Sequence, residues 1–347
     1  MLYNNIIVKN DMDNLAERTY IPYEKLINKT VLITGASGML AYYFTCALMH
    51  LNIKKNYGIR VLALVRNKQK AEKEFAEFLN DSQFRLLVQD VCTEILVDEP
   101  IHYIVHAAGG ASPYLIKNNP LGIIRANIDG TINVCELAKN NPIVNILYTS
   151  TREIYGKIEN QEWIYEDSMG SVDPVDPRSC YPESKRMAEQ IFKSYEVTYN
   201  IPFNIVRIAH SYGPGMIIGN DGRVMADFIT NVVNGEDIVM KSAGDAIRAF
   251  CYITDAVAGM FIALLCGEKG QVYNIANEKE PYMIRDIAQM LIDISGKNIK
   301  LVYDTSADQT VYCNYTRVGL ATDKIEKLGW KTEVSLKKGL ENTLSTM

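Results

Sequence analysis

Thr30-Val31-Leu32-Ile33-Thr34-Gly35-Ala36-Ser37-Gly38-Met39-Leu40-Ala41 is the stretch on which the rest of the chain is read. The first five residues are β-branched or aliphatic without alternation, which predicts a short strand buried on both faces. Gly35 and Gly38 interrupt it, and an apolar helix is expected to run on to about Leu51. A glycine turn between a strand and a helix lets backbone N–H groups converge at a helix N-terminus, an arrangement that suits a pyrophosphate. Gly-x-x-Gly-x-x-Ala carries little by itself. Its place directly after the first strand gives it weight, and the turn Gly35, Ser37, Gly38 and Met39 is read as a dinucleotide cradle.

Working outward, strands are expected at Arg60–Val65, Phe84–Val88, His102–His106, Asn145–Ser150 and Phe203–Ile208, with helices at 68–79, 121–139 and 181–199. Such alternation predicts an α/β fold: a Rossmann-type, doubly wound parallel sheet covered on both faces. Beyond Gly213-Pro214-Gly215 the order becomes irregular. Residues 29–209 are therefore read as the dinucleotide-binding domain, with room for a later segment near 246–268 to return to it. Residues 210–347 are read mainly as a smaller C-terminal substrate-binding lobe. Residues 1–28 look polar and aperiodic, an extension that wraps the surface or contacts a partner.

The composition narrows the function classes. In 347 residues, 48% hydrophobic, no run of ~18 apolar residues marks a membrane span. A net charge of −5 without a basic stripe argues against nucleic acid and leaves small-molecule work. Seven cysteines lack Cys-x-x-Cys pairing, and the start of the chain lacks the order of a signal peptide; both suggest reduced thiols in a cytoplasmic protein. The four histidines are too dispersed for a metal site.

Two further loops suit a dinucleotide. Asp90-Val91 follows the third strand, where a carboxylate can accept from an adenine amine, and Ala107-Ala108-Gly109 follows the fourth, where small residues admit the cofactor. The second strand ends in Arg66 rather than in the acid that usually accepts from an NAD ribose, so pairing of Arg66 with the 2′-phosphate of NADP stays open. Tyr181 and Lys185, four residues apart, share one helix face, where an ammonium can lower a phenol's pKa from its ordinary ~10 and make it an acid–base group for alcohol oxidation. Many solvated helices carry the same spacing.

With these features, the chain resembles the extended short-chain dehydrogenase/reductase family, whose members rework nucleotide-activated sugars. The resemblance spans roughly Lys29 to Trp330. It is carried by Thr34-Gly35-Ala36-Ser37-Gly38, His106-Ala107-Ala108, Asn127, Ser150-Thr151-Arg152-Glu153-Ile154-Tyr155-Gly156, Tyr181 with Lys185, and Arg248-Ala249-Phe250. Within the family it is most similar to the UDP-glucuronate decarboxylase branch, through Ala111-Ser112-Pro113, Asp176 to Tyr181 and Asp221-Gly222-Arg223-Val224.

The resemblance implies bound NAD and a 4-keto sugar intermediate. Tyr181 would take the proton of the C4 hydroxyl, Thr151 would hydrogen-bond the same oxygen, and Lys185 would hold the nicotinamide ribose. Glu153 would face C5. Ser112, Arg152, His210, Arg223 and Arg248 fall on the substrate side, the last two as diphosphate ligands. It also implies a homodimer joined through the helices at 121–139 and 181–199. Arg152 stands where the decarboxylases carry a small hydroxyl residue and the 4,6-dehydratases an aspartic acid, and guanidinium cannot act as that acid. Decarboxylation is therefore favoured, with a 4-epimerase or 4,6-dehydratase as the alternative and a non-catalytic NADP-sensing protein as a remote one.

Overall fold

The computed structural model describes residues 2–159, 161–219, 221–304 and 318–347. Seven strands form one parallel sheet: β1 (Thr30–Thr34), β2 (Arg60–Val65), β3 (Phe84–Val88), β4 (Tyr103–His106), β5 (Asn145–Thr151), β6 (Phe203–Ile208) and β7 (Gln271–Ile275). Their spatial order is β7-β6-β5-β4-β1-β2-β3, so the order reverses beside β1, where the glycine turn lies. In open α/β sheets, ligands bind at such a switch point.

Period-two geometry sorts each strand between two cores. Val31, Ile33, Val61, Ala63, Val105 and Leu147 join one apolar cluster, while Leu32, Leu62, Leu64, Ile104, Ile146 and Tyr148 join the other. The helix Met39–Lys55 (α2) and the almost wholly buried helix Ile253–Cys266 (α5) cover the first face. Pro120–Lys139 (α3) and Cys180–Tyr199 (α4) cover the second through Val134, Cys135, Ala138, Ala188 and Phe192. The helix expected at 68–79 ends at Glu74, because Phe75 and Phe78 turn inward against Phe84.

Residues 1–28 depart from the aperiodic lead-in expected of them. Ile6–Ala16 (α1) is a helix, capped by Asn5, that buries Val8, Met12 and Leu15. Their i, i+4, i+7 spacing is an apolar stripe that the polar residues between them obscure. Two buried carboxylates fasten the segment. Asp11 accepts from the hydroxyls of Tyr43 on α2 (3.1 Å) and Tyr252 (2.7 Å). Arg18 donates to Asp255 of α5 at 2.6 Å, and the other oxygen of Asp255 accepts from the amides of Glu333 and Val334, each at 3.0 Å.

Candidate active site

The glycine turn explains its own residues. Gly35 has φ +65°, and a Cβ there would lie 2.7 Å from Cα of Ala108. Only a bare Cα lets the ends of β1 and β4 approach this closely, which accounts for both Gly35 and the Ala107-Ala108 pair. Gly38 caps α2 without a side chain, Met39 begins that helix half-buried, and the hydroxyl of Ser37 is buried without a hydrogen-bond partner. Beneath the turn, His106 joins Thr34 (2.7 Å) to Thr131 of α3 (3.2 Å); burial, and then Lys185, push its pKa down to about 3, so it is a neutral strut.

Asp90 and Arg66 are exposed at the ends of β3 and β2. Asp90 accepts from the Cys92 amide at 2.9 Å, and that bond, ahead of the nearby Arg66 and Arg125, holds its carboxyl below the usual range. Val91 is buried, with its methyl groups 3.0 Å from where a Cβ of Gly130 would stand, which sets how closely α3 passes.

Tyr181 and Lys185 are buried on one face of α4. The Tyr181 ring packs with Ile116 and Ile123. Burial pushes its phenol up to about 12, while its hydrogen bond with Thr151, and more weakly Arg223 and Arg178, pull the other way and Glu153 adds to the rise. The Lys185 ammonium donates to the Thr149 carbonyl at 2.7 Å and lies 4.6 Å from the Tyr148 ring centroid. Burial pushes Lys185 down to about 7, against a weaker pull from Glu189. Near it, Asn127 donates to Ser184 at 2.9 Å while its buried Oδ1 has no partner, and a Cβ on Gly109 would stand 3.6 Å from the Lys185 nitrogen. Ser37 and Asn127 thus offer two orphaned polar atoms beside the glycine turn, and these residues fit a dinucleotide.

The substrate-side residues come from five separate segments. Glu153, in the turn after β5, is held by both nitrogens of Arg178, at 2.9 and 3.2 Å. Sequence reasoning missed Arg178, although its place three residues before Tyr181 was the available signal. Ser112 caps the short helix Pro113–Asn118 by accepting from Leu115 at 3.3 Å. Gly222 passes beside Pro113 and brings up Arg223, which is ion-paired to the buried Asp221. Arg152, His210 and Arg248 line one cavity, along with Glu278. His210 keeps an exposed face, yet the packing around its ring, and then the guanidiniums of Arg152 and Arg248, depress its pKa and leave it neutral.

Comparison with known proteins gives a consistent picture. Residues 31–276 match the model of the NAD dependent epimerase/dehydratase family. The chain is 33% identical over 317 residues to UDP-glucuronic acid decarboxylase 5 of Arabidopsis thaliana, covering 90% of this chain and 87% of that protein. UDP-glucuronic acid 4-epimerase of Bacillus cereus, solved with UDP-glucuronic acid and NAD, superposes with a TM-score of 0.76 at 23% identity over 91% of this chain and 98% of that one. dTDP-glucose 4,6-dehydratase of Bacillus anthracis, solved with NAD, gives 0.73 at 19% identity over 92% and 96%.

Proposed function

The chain belongs to the NAD dependent epimerase/dehydratase family, and from that premise we propose that it binds NAD and converts a nucleotide sugar through a 4-keto intermediate, as a UDP-glucuronate decarboxylase. The observation that carries the reading is the buried Tyr181 phenol, hydrogen-bonded to Thr151 and one helical turn from Lys185, in a fold whose glycine turn lies at the switch point of the sheet. Gly35, Ser37, Gly38 and Met39 would hold the pyrophosphate, Asp90 and Val91 the adenine, Ala107 and Ala108 the passing chain of the cofactor, and Lys185 the nicotinamide ribose. Bound NAD supplies the reversible hydride acceptor for this chemistry.

Tyr181 takes the proton of the C4 hydroxyl as the ketone forms, with Thr151 holding the same oxygen. The resulting 4-keto uronic acid is a β-keto acid: the C5–C6 bond breaks, its electron pair moves into the C4 carbonyl, and carbon dioxide leaves. C5 then takes a proton and Tyr181 returns one to O4 as C4 is reduced. Glu153, gripped by Arg178, would be the carboxylate that serves C5. Ser112, Arg223 and Arg248 would bind the nucleotide diphosphate and His210 would border the sugar. Residues 29–209 would then hold the cofactor and residues after 210 most of the substrate.

A 4-epimerase or 4,6-dehydratase is the second reading, favoured by the dehydratase and epimerase neighbours. The absence of an aspartic acid at Arg152 weighs against the dehydratase. Incubation with UDP-glucuronate, UDP-glucose, dTDP-glucose and GDP-mannose, followed by product mass, separates the readings: loss of carbon dioxide, loss of water, or unchanged mass with inverted stereochemistry. Turnover of none would overturn the proposal. Two copies would join through α3 and α4, which leave Leu121, Met187, Val197 and Tyr199 exposed, giving a cytoplasmic homodimer whose mass sedimentation would reveal.

A further inference from the structure

The N-terminal segment joins the elements that carry the two halves of the candidate site, and it does so twice. Asp11 of α1 is buried, and one of its carboxylate oxygens accepts from two phenols. Tyr43, at 3.1 Å, lies one turn past Met39 on α2, the helix whose N-terminus closes the glycine turn. Tyr252, at 2.7 Å, ends the two-residue strand Cys251–Tyr252, which pairs with Ser211–Tyr212 directly after His210. The Cys251 amide donates to the His210 carbonyl at 3.2 Å. The rings of Tyr252, Tyr212, Phe250 and His210 follow one another with centroids 5.7, 6.1 and 5.5 Å apart. The second bridge is at the start of the segment. The Tyr3 amide donates to the hydroxyl of Tyr42 on α2 at 3.2 Å, while the neighbouring Leu2 lies 2.8 Å from where a Cβ of Gly215 would stand. Adjacent tyrosines of α2 are thus both taken by the segment that also reaches the loop after Tyr212. An apolar side chain at residue 11, with phenylalanine in place of each tyrosine, could fill the same space with little loss of stability. Burial instead pushes the Asp11 carboxyl up to about 6, against the pull of Tyr252, Tyr43 and then Arg18, so the folded chain carries the charge at a cost in stability at neutral pH. What an apolar residue cannot do is fix the directions of two hydroxyls from separate elements.

We infer that Asp11 is a positioning residue: it sets the spacing between the cofactor-bearing start of α2 and the strand pair after His210 on the sugar side, an inference that rests on the function proposed above. Hydride passes only when donor and acceptor carbons lie within a narrow range of distance, and a displacement of about 1 Å costs on the order of a hundredfold in rate. Mis-spacing of two intact halves therefore lowers kcat and leaves the affinity of each half for its own ligand nearly unchanged.

The test is steady-state conversion of UDP-glucuronate, with thermal melting, by wild type, Asp11→Asn, Tyr252→Phe and the triple variant Asp11→Leu, Tyr43→Phe, Tyr252→Phe. The triple variant removes the acceptor together with both donors; Asn342, whose amide donates to Tyr252 at 3.3 Å, is half-buried and finds water instead. It should melt within about 3 °C of wild type. Its kcat should fall about ten- to a hundredfold with KM changed less than about threefold, whereas Asp11→Asn keeps an acceptor for both phenols and should stay within about threefold of wild type. A triple variant with undiminished kcat overturns the inference. Tyr252→Phe leaves Asp11 paired with Tyr43 and cuts only the substrate-side arm. It should lose about fivefold or more in kcat, and it covers a triple variant that does not fold; full activity there also counts against the clamp. Hydrogen exchange reads the same claim without turnover: adding NAD to the stripped protein should slow exchange in residues 210–216 and 249–253 of wild type, and not of the triple variant or Tyr252→Phe. An equal response in all three overturns the inference, while a wild type that shows the coupled exchange but releases no carbon dioxide refutes the function alone.

Discussion

Replacing Lys185 by methionine should make the empty protein more stable while destroying its activity. Lys185 is buried, and its pKa falls from the ordinary 10.5 to about 7. At ~1.4 kcal/mol per tenfold change in acidity, holding the ammonium there below pH 7 costs up to roughly 5 kcal/mol. The substitution also removes the bond to the Thr149 carbonyl, which offsets about 1 kcal/mol, and protein relaxation reduces the rest. A net gain of roughly 2–3 kcal/mol at pH 6 is therefore expected for the dinucleotide-free variant. The folded lysine binds its proton less tightly than the unfolded one, so wild-type stability rises with pH between about 7 and 10.5. The advantage of the variant should shrink over that window and vanish near its top. Urea denaturation at pH 6, 8 and 10 measures it. A variant less stable than wild type at pH 6, or a difference that ignores pH, would refute the burial argument and with it the view that stability is given up here for a cofactor-holding charge.

Gly35→Ala should lose roughly 1–3 kcal/mol, because it combines a left-handed φ with a Cβ 2.7 Å from the Ala108 backbone, and NAD affinity should fall with it; thermal melting and titration read the two effects. Arg18→Met leaves one oxygen of Asp255 buried without its cation and should cost ~3–5 kcal/mol at pH 8. Burial already raises the Asp255 pKa, so acidification lets the folded variant take a proton and the loss should be smaller at pH 5; a cost that does not vary between the two pH values would contradict this. Glu153→Gln should slow proton delivery to C5 by about a hundredfold or more, seen as slower solvent-deuterium incorporation at that carbon, whereas a surface carboxylate would leave it unchanged.

The central sheet was legible because parallel strands buried on both faces announce themselves as unbroken apolar runs, and the glycines at 35 and 38 mark where such a run must turn. The expected limits of Arg60–Val65, Phe84–Val88 and Phe203–Ile208 match the observed ones. Strand Gln271–Ile275 escaped notice because its pairing with β6 is set by tertiary contacts, although Gly270 marks the turn just before it. The helix at Ile6–Ala16 was hidden because Asp11, a polar residue on its buried face, breaks the apolar stripe, and its tyrosine partners are distant in sequence. In the candidate site, Tyr181, Lys185 and Thr151 could be found from spacing and resemblance. The ion pair between Arg178 and Glu153, and the cavity shared by Arg152 and Glu278, depend on loops meeting across long separations that no local pattern encodes.

The account turns on hydrogen leaving C4 as hydride while Tyr181 handles the proton. The most direct measurement is conversion of UDP-glucuronate deuterated at C4, with the label followed in the product by mass spectrometry and NMR, alongside Tyr181→Phe. Retention of the deuterium at C4, with solvent hydrogen entering at C5 and no conversion by Tyr181→Phe, is the predicted result. Loss of the C4 label to water, or carbon dioxide released at an undiminished rate without the phenol, would contradict it.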